Sequence, residues 1–84
     1  MAEEFADLAD RPGWQLDGTG AVYAPTANGW RARINRTIVP GRSYHRLHVA
    51  VIDPAGHARH VVLLNQLSEA RRVAEAQVNA RNAA

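Results

Sequence analysis

Trp30, Ala32 and Ile34 alternate with Arg31, Arg33 and Asn35, and Leu47, Val49 and Val51 alternate with Arg46, His48 and Ala50. A period of two marks a strand with one buried face. Pro40-Gly41 lies between the two runs and predicts an antiparallel hairpin. With Val39 opposite Arg42, Ile34 meets Leu47, Ala32 meets Val49 and Trp30 meets Val51, while Arg33 meets His48 and Asn35 meets Arg46. A slip of one residue would mix the faces, so the pattern fixes this parity. Asp53-Pro54-Ala55-Gly56 suits a type I turn ending in a left-handed glycine. That turn pairs Val49 with Val61 and Leu47 with Leu63, and puts Ala58, His60 and Val62 on the opposite face with His48, Ala50 and Ile52.

The flanks complete the pattern. Residues 2–9 read as a short helix with Phe5, Leu8 and Ala9 on one face, stopped by Arg11-Pro12-Gly13. Residues 14–16 and 21–24 read as short strands around the turn Asp17-Gly18-Thr19-Gly20, and Asn28-Gly29 signals another turn. Ser68 suits a helix cap and Glu69 a first turn, and Ala70, Val73, Ala74, Gln77 and Val78 make one apolar stripe over 68–81. The expectation is an α+β fold in a single domain, 1–84. A short N-terminal helix leads into a four- to five-stranded antiparallel sheet within 14–65, and the C-terminal helix packs on one sheet face.

Eighty-four residues hold one modest core, and the chain has no cysteine, which excludes disulfides and thiolate metal sites. No apolar run reaches the ~18 residues of a membrane span, and the acidic N-terminus does not resemble a signal peptide, so a cytoplasmic protein with no membrane partner is expected. The net charge of +2 is unevenly spread. Residues 1–17 carry five acids against Arg11 alone, whereas residues 18–66 carry six arginines against Asp53 and hold all four histidines. The ten cations are all arginine. Arginine suits phosphate and base recognition, but arginine and alanine are also what a GC-rich genome favours.

On the predicted pairing, Tyr23, Arg31, Arg33, Arg46, His48 and His60 fall on the face away from the C-terminal helix. Guanidinium groups that neutralise phosphates, beside rings that stack on bases, describe a nucleic-acid surface. The same arginines would also keep an open sheet soluble. Ile52, Val62 and Leu64 form an apolar strip on that face, to be covered by Phe5 and Leu8, by a second protomer or by another protein. Two histidines without cysteine or a nearby acid other than Asp53 assign no metal site. No cofactor motif, nucleophile motif or paired-carboxylate spacing is present, and no catalytic residue is assigned. General acid–base cleavage of RNA by His48 and His60 is the one enzymatic alternative.

Two family likenesses follow from particular residues. Gly20-Ala21-Val22-Tyr23, then Gly29-Trp30-Arg31-Ala32-Arg33-Ile34, then Ser68-Glu69-Ala70 before a helix resembles the AP2 and integrase-arm DNA-binding domains. That resemblance implies groove contacts from Arg31 and Arg33, although residues 35–47 have no counterpart in the family pattern. The N-terminal half is similar to HicA-type toxins at Gly13-Trp14 and Gly18-Thr19-Gly20. Ala21 stands where their catalytic histidine follows the hairpin glycine, so the likeness does not imply nuclease activity. The expected function is a small non-enzymatic nucleic-acid-binding regulator or accessory protein, most simply DNA-binding, of a GC-rich bacterium or its phage. The alternative is a protein-binding module, such as a phage-encoded inhibitor or adaptor, or a homodimer.

Overall fold

A computed structural model describes residues 3–18, 20–38, 41 and 45–83. A 3-10 helix, Glu3–Leu8, is followed by β1 (Trp14–Asp17), β2 (Gly20–Tyr23), β3 (Arg31–Ile38), β4 (His45–Ile52), β5 (Ala58–Leu64) and α1 (Leu67–Ala83). The five strands form one antiparallel sheet in the order β1-β2-β3-β4-β5. This is the expected α+β architecture, with its N-terminal helix reduced to 3-10 geometry. α1 begins one residue before the predicted start, so Ser68 sits in its first turn and not at the cap.

One face of the sheet carries the core. Ala21, Tyr23, Ala32, Ile34, Leu47 and Val49 join Ala70, Ala74 and Val78 of α1 in a buried cluster. The helix residues are spaced by four, so they form one stripe, and its two alanines let α1 approach the sheet closely. Phe5 and Leu8 are buried in the same cluster beside Trp14. The 3-10 helix therefore caps β1 and β2 on the α1 side. It does not cover the opposite face, as the expected Phe5–Leu8 cover of Ile52, Val62 and Leu64 required.

Polar atoms along one edge of α1 bind the aromatic residues that frame the core. Trp14 Nε1 donates to Glu75 Oε2 at 2.8 Å, Tyr23 Oη donates to Asn79 Oδ1 at 3.1 Å, and Trp30 N donates to Asn82 Oδ1 at 2.8 Å. Asn82 Nδ2 returns a bond to the Trp30 carbonyl at 3.3 Å, and the Arg81 guanidinium lies 5.1 Å from the Trp30 ring centroid. These contacts fix the rotation of the helix and give the buried Trp14 indole and Tyr23 hydroxyl an acceptor each.

The pairing keeps the predicted parity and departs from the predicted register. Ile34 pairs with Val49, Ala32 with Val51, Asn35 with His48, Arg33 with Ala50 and Thr37 with Arg46, two residues along from the expected partners. The last pair among the described residues is Ile38 with His45. Val39 and Arg42, the expected closing pair, lie outside the described residues. Trp30 precedes β3 and has no strand partner among the described residues.

At the other hairpin, Gly56 N donates to the Asp53 carbonyl at 2.9 Å and Gly56 has φ +96°, as the turn reading requires. Ile52 pairs with Ala58 and Ala50 with His60, but Val49 pairs with Val62 and Leu47 with Leu64. The extra residue is Val61, a β-bulge that shifts the remainder of β5 by one. Val62 and Leu64 consequently pack against the core cluster with Val61, and Leu63 takes the place beside His48.

Candidate nucleic-acid interface

The face opposite α1 is a grid set by strand register. One row runs Gln15, Val22, Arg33, Ala50, His60 across all five strands. On one side lies Arg31, Ile52, Ala58; on the other lie Asp17, Gly20, Asn35, His48, Leu63, and then Thr37 with Arg46. Rows are roughly 7 Å apart and columns about 4.8 Å apart. Gly20 lets β2 meet β3 closely, since a Cβ there would stand 2.4 Å from the Ile34 carbonyl oxygen. Among the described residues no helix packs on this face.

Five of the six expected binding residues share it: Arg31, Arg33, Arg46, His48 and His60. Tyr23 does not. It points to the core, 7% exposed, with its ring centroid 5.1 Å from that of Trp14. Pairing Tyr23 with Ala32 leaves room for the ring, and Asn79 satisfies its hydroxyl, so burial costs no unpaired polar atom. The expected apolar strip is likewise dispersed: Ile52 stays on the open face, while Val62 and Leu64 are turned to the α1 side by the bulge.

Each cation is held differently. Arg33 Nη1 donates to Asp17 Oδ2 in an ion pair whose side chains are 36% and 56% exposed, and Nη2 reaches the Asp17 carbonyl at 3.5 Å. An exposed pair of this kind stabilises by about 0.2–1 kcal/mol and yields readily to a competing anion. Arg46 Nε donates to Asn65 Oδ1 at 3.1 Å and Nη2 to the Leu63 carbonyl at 3.2 Å. Both acceptors leave the guanidinium charge in place and hold it at the end of the sheet. Arg31 makes no ion pair or side-chain hydrogen bond with the described residues. Sequence reading missed Asp17 and Asn65 as partners, since each is distant from its arginine in sequence, Asp17 at the end of β1 and Asn65 just after β5.

His48 and His60, diagonal neighbours on adjacent strands, stack with ring centroids 4.7 Å apart and planes within 5°. Burial, and then the proximity of His60, hold His48 below the usual imidazole range. The pair therefore has a neutral His48 near neutral pH. Among the described residues no group of three or more histidine and carboxylate side chains has the arrangement of a metal site. Two surface clefts, of about 330 and 190 Å³, lie along α1, the larger beside Val73 and Ala76 and the smaller beside Leu8 and Ser68. The open face is broad, which suits a macromolecule better than a small molecule.

Compared with protein-family models, with curated proteins and with solved structures, the chain gives no match. Among the described residues no helix is long and apolar enough to cross a membrane.

Proposed function

We propose that this domain is a non-enzymatic nucleic-acid-binding protein that uses the open face of its sheet. The observation that carries the reading is the gathering of Arg31, Arg33, Arg46, His48 and His60 on the one face that neither helix covers. Phosphates attract such a surface through charge and counterion release, and Asp17 is the acid that competes for Arg33. Regulation, or an accessory role in a bacterium or phage, is consistent with the small size.

Anisotropy of a labelled oligonucleotide at a series of salt concentrations tests this. The Arg31→Ala, Arg33→Ala double variant is expected to bind more weakly, with the log–log salt slope reduced by about one per lost phosphate contact. Arg72→Ala, on exposed α1 surface, is expected to change little. An unaltered slope in the double variant refutes the reading.

A second reading rests on β5. It is an edge strand, and Val61, Val62, Leu63 and Leu64 are all only partly buried. An apolar edge of this kind favours a protein partner or a homodimer. Sedimentation across a concentration series separates the two, since a stable dimer sealed along β5 would move the emphasis from nucleic acid to protein.

A further inference from the structure

We propose that the His48–His60 stack receives an unpaired base, so that the nucleic acid taken by this face is single-stranded. The inference rests on the nucleic-acid reading above and narrows its ligand class.

The two imidazoles are parallel, and each shields one face of the other. His60 is exposed, and its ring leans along β5 toward the row of His48 and Leu63. Its other ring face is turned away from His48, and its open-face neighbours are Ala58 on the same strand, Ala50 directly across and Ile52 on the diagonal. Two of these three end at Cβ, so the ring borders a shallow apolar floor instead of a wall of long side chains. A planar base laid there continues the stack on His60 and rests on Ala58 and Ile52. Stacking of this kind tolerates any base, because every base has a π-face.

The cations are placed for the attached phosphates. Arg31 shares a row with Ile52 and Ala58, and Arg33 shares a row with Ala50 and His60. Both lie on β3, two strand spacings from β5, or about 10 Å at the backbone. Arg31 is within the span of a long side chain and a nucleotide, and Arg33 reaches it by exchanging Asp17, on the β1 side, for a phosphate. Arg31 has no competing partner among the described residues. The depressed protonation of His48 keeps that ring uncharged near neutral pH. A duplex keeps its bases paired and stacked, and cannot offer one to His60.

The two ligand classes differ in a way that makes the test sharp. Duplex DNA has the higher charge density, so a surface that reads phosphates alone favours duplex. A surface that also stacks a base favours the single strand. Anisotropy at constant low salt would use three labelled probes of about 12 nucleotides. These are a mixed-sequence single strand, the same strand annealed to its complement, and a strand of equal length built from abasic phosphodiester units. The single strand should bind roughly tenfold more tightly than the abasic strand, the order of one stacked base, and more tightly than the duplex.

His60→Ala should lose that roughly tenfold advantage on the base-bearing strand and change the abasic strand little, and His60→Phe should restore it. His60 is exposed, so these variants leave the core intact. Preference for duplex, equal affinity for abasic and base-bearing strands, or an equal loss on both strands in His60→Ala each overturns the proposal. Preference for duplex does so while leaving the basic-face reading intact, to be judged by the salt series above. Failure of every probe to bind at low salt overturns both.

Discussion

The bulge at Val61 decides which residues of β5 are inside, and a pair of substitutions tests it. With the bulge, Val62 lies on the α1 side opposite Val49, and Leu63 lies on the open face beside His48. Without it, Val61 and Leu63 would be the inward residues. Consider Val62→Asp and Leu63→Asp. Both carry the same penalty for aspartate in a strand, so their difference isolates the face. Val62 and Leu63 are both partly covered, so the apolar burial each loses is similar and cancels in the difference. Holding a carboxylate against Val49 and Leu64 on the core side costs about 1–3 kcal/mol, which the open-face position of Leu63 avoids. The excess cost at Val62 is therefore about 1–3 kcal/mol. In a domain of this size each kcal/mol lowers Tm by about 4–8 °C, so Val62→Asp should melt roughly 5–20 °C below Leu63→Asp. Thermal unfolding followed by circular dichroism at neutral pH measures it. Equal melting temperatures, or a lower one for Leu63→Asp, would refute the bulged register.

Three further outcomes follow. Trp14→Phe removes the indole donor to Glu75 and should cost about 1 kcal/mol in denaturant unfolding; Glu75→Gln, which keeps an acceptor, should cost less. Gly29→Ala places a Cβ 2.2 Å from Thr26 Oγ1 and 2.6 Å from Asn82 Oδ1, so it should displace Asn82 from Trp30 and loosen the end of α1. Faster amide exchange over residues 79–83, with the sheet unaffected, is the expected signature. His48 has its folded pKa below the unfolded value of about 6.5. The unfolded chain thus binds the proton first, and stability that is full above pH ~6.5 falls as the solution is acidified through that value toward the folded pKa. His48→Gln should remove this part of the pH dependence, and identical pH profiles would contradict the assignment.

The alternating residues of β3 and β4 made the sheet and its two faces legible, and with them the grouping of Arg31, Arg33, Arg46, His48 and His60. Register was less legible for a physical reason. Sliding β4 by two residues sets Ile34 against Val49 instead of Leu47, so apolar still meets apolar and the pattern cannot tell the two apart. Val61-Val62-Leu63-Leu64 is apolar throughout, and a run without alternation carries no mark of a bulge. The predicted pairing puts Tyr23 on the open face, yet the register sets it beside Ala32 on the core side, and Asn79, 56 residues later, supplies the partner that lets it be buried. The side on which the 3-10 helix packs was similarly hidden, because Phe5 and Leu8 would cover either face equally well.

The central claim is that the uncovered, arginine-bearing face of the sheet is the binding surface. Two-dimensional amide NMR during titration with a short single-stranded oligonucleotide tests it most directly, with the arginine and histidine side-chain signals followed alongside. The account predicts shifts concentrated in β3, β4 and β5 at Arg31, Arg33, Arg46, His48, Ala50 and His60, with the exposed residues of α1 unmoved. Shifts centred on Glu69, Arg72 and Ala76 of α1, or a spectrum unchanged at low salt, would contradict it.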